Sequence, residues 1–159
     1  MTDKEDMKIR ELLGSEPIPY DLLLLADETI AAIDKYIHEG NIYVVEGEIK
    51  IIGVYVLCPL HTETVELKNI AVAEAYQSRG IGKLMLADAE KRAKEMGFRE
   101  IIVGTPDIAT KQINFYQKAG FERFATRKDF FFHNYAQPIY ENGIQLKDMV
   151  MLRKLVSTT

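Results

Sequence analysis

The chain has 159 residues, 47% of them hydrophobic and 28% charged, with a formal net charge of −4. Length and balance describe one soluble domain over residues 1–159, too apolar for disorder and with no apolar run near the ~20 residues that a membrane helix needs. The acidic charge speaks against broad nucleic-acid binding, acids crowd the amino terminus where a signal peptide would be apolar, and the single Cys58 fits a reducing cytoplasm.

In chain order, Asp21 opens a helical region through the Leu22–Leu25 patch, Ile30, Ile33 and Ile37 to a stop at Gly40. Ile42-Tyr43-Val44-Val45, the turn Glu46-Gly47-Glu48 and Ile49–Leu57 read as a β-hairpin. In Val65–Val72 the apolar positions run odd at Val65 and Leu67, then even at Ile70 and Val72. A strand of period 2 changes parity this way by carrying an extra residue, which predicts a β-bulge near Lys68 or Asn69.

Gly80–Gly97 is helical, with a stripe of Ile81, Met85, Ala89, Ala93 and Met96, Leu86 beside it, and Asp88, Lys91, Arg92 and Glu95 towards water. A strand at Ile101–Val103 follows, then a helix over Ile108–Ala119 ending at Gly120, an extended stretch over Phe121–Phe132, a turn at Asn142-Gly143 and a last strand at Met149–Leu155. Strands that first meander and then alternate with helices predict an α/β (α+β) protein, a mixed sheet with helices on its faces.

The run Gln77-Ser78-Arg79-Gly80-Ile81-Gly82-Lys83 joins a strand to a helix start, where free amides and the helix dipole suit phosphate. Gly80 and Gly82 permit close backbone approach, and Arg79 and Lys83 add charge. The P-loop pattern fails because Gln77 and Leu84 stand at its Gly and Ser/Thr positions, and the dinucleotide pattern fails at Met85. By itself the loop is either a phosphate site or a plain turn with two structural glycines.

Two further blocks add to it. The strand Leu67-Lys68-Asn69-Ile70-Ala71-Val72 leads into the loop, and Asn114-Phe115-Tyr116-Gln117-Lys118-Ala119-Gly120-Phe121 follows later. Together these resemble the GNAT superfamily of N-acetyltransferases, closely over Glu63–Phe124 and loosely over Ile42–Cys58. The resemblance implies a mostly antiparallel central sheet with a splayed strand pair, and acetyl-CoA as co-substrate without a metal. It implies pyrophosphate on Gln77, Ser78, Arg79, Gly80, Ile81, Gly82 and Lys83, and pantetheine along Ile70, Ala71 and Val72. The Val72 amide would meet the oxyanion, and Tyr116 would protonate the leaving thiolate, unless it is only a packing aromatic. Glu66 stands where some members carry a general base, although a strand glutamate also reads as a solvated residue. The Asn that many members place at the start of the Tyr-bearing helix is replaced by Asp107-Ile108-Ala109, so Asn114, one turn late, stands with Tyr116 as the helix's candidate for cofactor binding.

The expected activity is acetyl transfer to a primary amine of a small molecule, peptide or protein; a non-catalytic acyl-CoA-binding regulator is the alternative. Cys58 and His61 lack a second pair of ligands, so no zinc site is expected. His38 reads as a helix-end cation, and His133 as an aromatic cap or a pocket residue. The aromatic stretch Phe130–Tyr140 would wall the amine entrance or form a subunit interface, leaving a homodimer open. With Glu141 and Glu66 near, it would favour a cationic amine.

Overall fold

The meander comes first. In the computed structural model, which describes residues 7–157, Lys8–Glu11 (β1), Asn41–Glu46 (β2), Ile51–His61 (β3) and Thr64–Val72 (β4) pair antiparallel in sequence order. Two short helices, Tyr20–Leu23 (α1) and Ile30–Asp34 (α2), cover one face between β1 and β2. The single helical region expected over Asp21–Gly40 is therefore broken. The Thr29 hydroxyl accepts from the Ala32 N–H at 3.0 Å and starts a fresh helix, a cap that competes with continuation. The hairpin is also shorter than expected at its start, because Ile49 sits in the turn, 97% exposed.

The bulge falls where the parity fault put it. Val56 faces Asn69 and Leu57 faces Leu67, so Lys68 has no partner across the ladder. The extra residue keeps both apolar sets on one side: Val65 and Leu67 before it, Ile70 and Val72 after it, all pack on the same core. That core is closed by Met85 and Ala89 of the helix Ile81–Glu95 (α3), and by Ile113 and Tyr116 of Thr110–Lys118 (α4). The opposite face of the sheet packs Val54, Val56 and Ala71 against Leu23, Ile33 and Tyr36. Each fully buried Leu, Ile or Val contributes roughly 1.5–3 kcal/mol, so both faces hold the sheet.

Asp88 and Arg92 do not face water as the helical pattern suggested. The Tyr55 hydroxyl donates to Asp88 at 2.5 Å, Arg92 Nε donates to Asp88 at 2.8 Å, and the Arg92 guanidinium lies 4.7 Å from the Tyr43 ring centre. Met96, expected in the buried stripe, is 41% exposed.

Glu100–Pro106 (β5) joins β4 as a parallel pair, the one parallel contact of the sheet among the described residues. Glu122–Arg127 (β6) is the edge strand and Met149–Leu155 (β9) lies between it and β5. Between them Phe130–Asn134 forms a helix (α5) where extended chain was expected. Asp129, at φ +56°, turns the chain and donates its N–H to the Asp148 carboxylate at 2.9 Å. Tyr140–Glu141 (β7) and Ile144–Gln145 (β8) close on Asn142 and Gly143, both at positive φ, as the Asn-Gly pair requires. This mixed, mostly antiparallel sheet with a splayed pair and flanking helices is the expected architecture.

Candidate active site

The parallel ladder between β4 and β5 stops at Leu67 and Val103, at the bulge. Beyond it both strands continue, β4 to Val72 and β5 to Pro106, without pairing, and the gap opens a cavity of about 560 Å³, a size suited to a small-molecule or cofactor ligand. Backbone alternation aims polar groups into this gap. Ala73 N–H donates to Ile52 C=O at 2.8 Å, so the Ile52–Ala73 pair is hydrogen-bonded across β3 and the next pair inwards is not. The N–H and C=O groups of Val72 and Ile70 therefore turn away from β3, towards the side that β5 has left.

At the end of β4, Gln77 Nε2 donates to Val72 C=O at 2.9 Å and ties the loop to the strand. Ser78 (φ +62°) and Gly80 (φ +82°) then bend the backbone into the left-handed region ahead of α3. Leu84 N–H reaches back to Gly80 C=O at 3.2 Å, while the amides of the preceding turn lie at the helix start, where anions bind. Gln77, Ser78, Gly80, Ile81, Gly82 and Lys83 all line the cavity, and Lys111 adds a second cation from α4. Arg79 instead lies beside Tyr76, 5.4 Å from its ring centre, and Asn114 is exposed and outside the lining.

Tyr116 belongs both to the core and to the cavity wall. Its ring meets Phe115 and Phe121 edge to face at 5.2 and 5.6 Å, and burial raises the phenol pKa, keeping the hydroxyl protonated at neutral pH. Glu66 is nearly buried, sits opposite Cys58 on the α1–α2 face, and pairs with Lys68 at 3.6 Å. It does not line the cavity, whereas Lys68 does. Cys58 is buried, and burial pushes its thiol up to about 11, far from a reactive thiolate. His38, His61 and His133 are exposed and outside the lining, and among the described residues no group of three His, Cys, Asp or Glu is placed to hold a metal.

The α1–α2 face supplies residues that the sequence reading missed. Leu25, Ala26 and Glu28 line the cavity, and so does Asn69 of the bulge. Asn69 Nδ2 donates to Leu23 C=O at 3.0 Å and to the Tyr36 hydroxyl at 3.1 Å; Tyr36 donates to Asp27 at 3.1 Å, and Tyr135 donates to the same carboxylate at 2.7 Å. Of the aromatic arm, then, Tyr135 braces the α1–α2 loop while Phe131 stacks behind it, and the residue that lines the cavity is Glu141. No residue of the Phe130–Tyr140 stretch, for which a wall at the amine entrance and a subunit interface were both open, lines this cavity.

A sheet split at a bulge, with a glycine-bearing loop and helix start at its mouth and a buried tyrosine on its wall, defines an acyl-transfer site of the acetyltransferase kind. The chain belongs to the GNAT acetyltransferases and is an acetyltransferase enzyme: the family's acetyltransferase (GNAT) domain matches residues 38–123, and the uncharacterized N-acetyltransferase YvbK of Bacillus subtilis is 43% identical over 91% of this chain and 95% of its own. A GNAT family acetyltransferase from Elizabethkingia anophelis, solved with acetyl-CoA bound, superposes with a TM-score of 0.92 at 44% identity, covering 96% of this chain and 99% of that one. The IAA acetyltransferase from Bacillus cereus superposes with a TM-score of 0.86 at 40% identity, covering 94% and 99%.

Proposed function

We propose that this enzyme moves the acetyl group of acetyl-CoA to a primary amine by direct attack, within a single domain. The observation that carries the reading is the gap between β4 and β5, which has backbone amides along one edge and Tyr116, its phenol protonated, in its wall. Pyrophosphate lies on the amides from Gln77 to Lys83, with Lys83 and Lys111 balancing its charge, and pantetheine follows Ile70, Ala71 and Val72.

The neutral amine nitrogen bonds to the thioester carbonyl carbon, and the oxygen takes up negative charge beside the Val72 N–H. Collapse breaks the carbon–sulfur bond. The departing sulfur takes the Tyr116 proton, and solvent reprotonates the phenolate. The proton released by nitrogen passes to Glu66 through water, since Glu66 stands on the α1–α2 side but outside the lining. The single cysteine is buried and poorly ionised, which supports attack without an acetyl-enzyme.

The test is a screen of amines and peptides for CoA release, with products weighed for one acetyl on nitrogen. Acetyl-CoA alone should leave the protein mass unchanged. A stable acetyl-enzyme would replace direct attack, and products acetylated only on oxygen would overturn the amine assignment.

A further inference from the structure

Most of the cavity is walled by strands and helices, but Leu25, Ala26 and Glu28 belong to the short loop between α1 and α2. Leu24, Leu25, Ala26 and Glu28 are all exposed, so apolar burial does little to hold this stretch. Turn bonds fasten its first half to α1: the N–H groups of Leu25, Ala26 and Asp27 donate to C=O groups of Leu22, Leu23 and Leu23 at 3.0, 3.2 and 3.0 Å. Between there and the Thr29 cap, the fastening passes to one side chain.

The Asp27 carboxylate receives three donors. Its Oδ1 accepts from the Tyr135 hydroxyl at 2.7 Å and from the Glu28 N–H at 2.7 Å, and its Oδ2 accepts from the Tyr36 hydroxyl at 3.1 Å. Asn69 Nδ2 donates in turn to the Tyr36 oxygen at 3.1 Å. Burial raises both phenol pKa values, which keeps both hydroxyls protonated. Every donated proton in this chain therefore points towards Asp27, and a group with two proton-free oxygens is what ends it.

The ties also reach both strands that part. Asn69 follows the bulge in β4 and lines the cavity. Tyr135 follows α5, where its ring stacks on the buried Phe131 at 5.6 Å. At the other end of α5, Asp129 N–H donates to the Asp148 carboxylate, and Asp148 C=O accepts from Asp107 N–H at 3.1 Å, beside the cavity residue Pro106 that ends β5. Asp27 is thus the point at which the exposed loop is fastened to the two sides of the gap.

We propose that Asp27 is a positioning residue for acetyl transfer: its carboxylate, without touching the reactants, fixes the Leu25–Glu28 wall against the split sheet so that the acceptor meets the thioester in register. This rests on the acetyl-transfer reading, in which the cofactor occupies the α3–α4 side and the acceptor the α1–α2 side. Alignment of two reactants is where such a reaction gains most of its rate, so a wall that moves costs turnover even when every reacting group is present.

Steady-state kinetics on the full chain tests it, with each amine and peptide that wild type acetylates in the screen above as acceptor and calorimetry for acetyl-CoA. Tyr135→Phe keeps the ring stacked on Phe131 and removes one donor, so kcat/KM for the acceptor should fall about three- to tenfold. Asp27→Asn disturbs all three contacts and should cost on the order of 10- to 100-fold, with acetyl-CoA affinity within about twofold of wild type. Acceptor KM should rise as kcat falls, whereas a smaller active fraction would lower kcat alone. Adding Tyr135→Phe to Asp27→Asn should cost little more, because the two act through one contact. Lys35→Met removes a different tie to α5, the Nζ bond to Asn134 C=O at 3.0 Å, and should leave acceptor kinetics unchanged. If Asp27→Asn does not fold, Tyr135→Phe and Tyr36→Phe carry the test. Unchanged acceptor kinetics in the variants that fold, a parallel loss of acetyl-CoA affinity, a fall in kcat alone, or an equal loss in Lys35→Met overturns the proposal while leaving acetyl transfer in place. Wild type that binds no acetyl-CoA or acetylates none of the acceptors overturns both.

Discussion

The two sides of the cavity are built by different means. On the α3–α4 side the groups proposed to hold the cofactor come mainly from one continuous run, β4 through Gln77 to Lys83, and they consist mostly of backbone amides fixed by strand alternation and a helix start. On the α1–α2 side the contacts are side chains gathered from separate segments: Asp27 and Glu28, Tyr36, Asn69, Tyr135 and Glu141. A backbone site survives most sequence change because every residue brings the same N–H. A side-chain site changes with each substitution, so in the proposed function this is the side on which acceptor choice can vary while the cofactor side stays constant.

The largest test of this division is Tyr116→Phe. The ring contacts with Phe115 and Phe121 remain, so the variant should fold with acetyl-CoA affinity unchanged, while turnover falls on the order of 10²–10⁴-fold. Wild-type turnover in that variant would make Tyr116 a core residue only. Glu66→Gln comes next, with a loss towards the lower end of that range. A base must be deprotonated to act, so the acidic limb of the pH–rate profile should vanish or move. An acidic limb that stays in place would assign the proton to water or another group, and would leave Glu66 as the counter-charge of Lys68.

Legibility from the sequence follows the same line. The loop proposed for the phosphates is local, so the spacing of its glycines and its strand-to-helix setting are visible in Gln77–Lys83. The bulge was legible because a parity fault has a single geometric remedy, one extra residue at Lys68. The α1–α2 side was not. Tyr135 and Asp27 are 108 positions apart and meet only once α5 and the α1–α2 loop are placed, and Asn69 matters through an orientation fixed by Leu23 and Tyr36. The break at Leu24–Thr29 was hidden because its apolar residues continue the helical pattern; the Thr29 cap, which is visible in the sequence, was the signal that could have found it.

Gly82→Val probes the backbone side. A β-carbon at Gly82 would approach Phe115 no closer than 3.7 Å, so the fold should tolerate the change, while the branched side chain crowds the phosphates and weakens acetyl-CoA by roughly 1–3 kcal/mol. Unchanged affinity in calorimetry would move the pyrophosphate away from this loop.

The smallest expected effect sharpens the comparison most, because it concerns stability on the side-chain half. Partial burial, Glu141 and Asp27 raise the Glu28 pKa above its unfolded value. Between those two pKa values the folded protein holds more protons than the unfolded chain, so this contribution makes stability fall as pH rises through the window. Glu28→Gln removes that penalty. The variant should therefore melt slightly higher than wild type at pH 7, by less than about 0.5 kcal/mol because solvent screens an exposed carboxylate, and the gap should close below about pH 4. A variant that melts lower at pH 7, or a gap that does not depend on pH, would show that Glu28 is not strained by its neighbours.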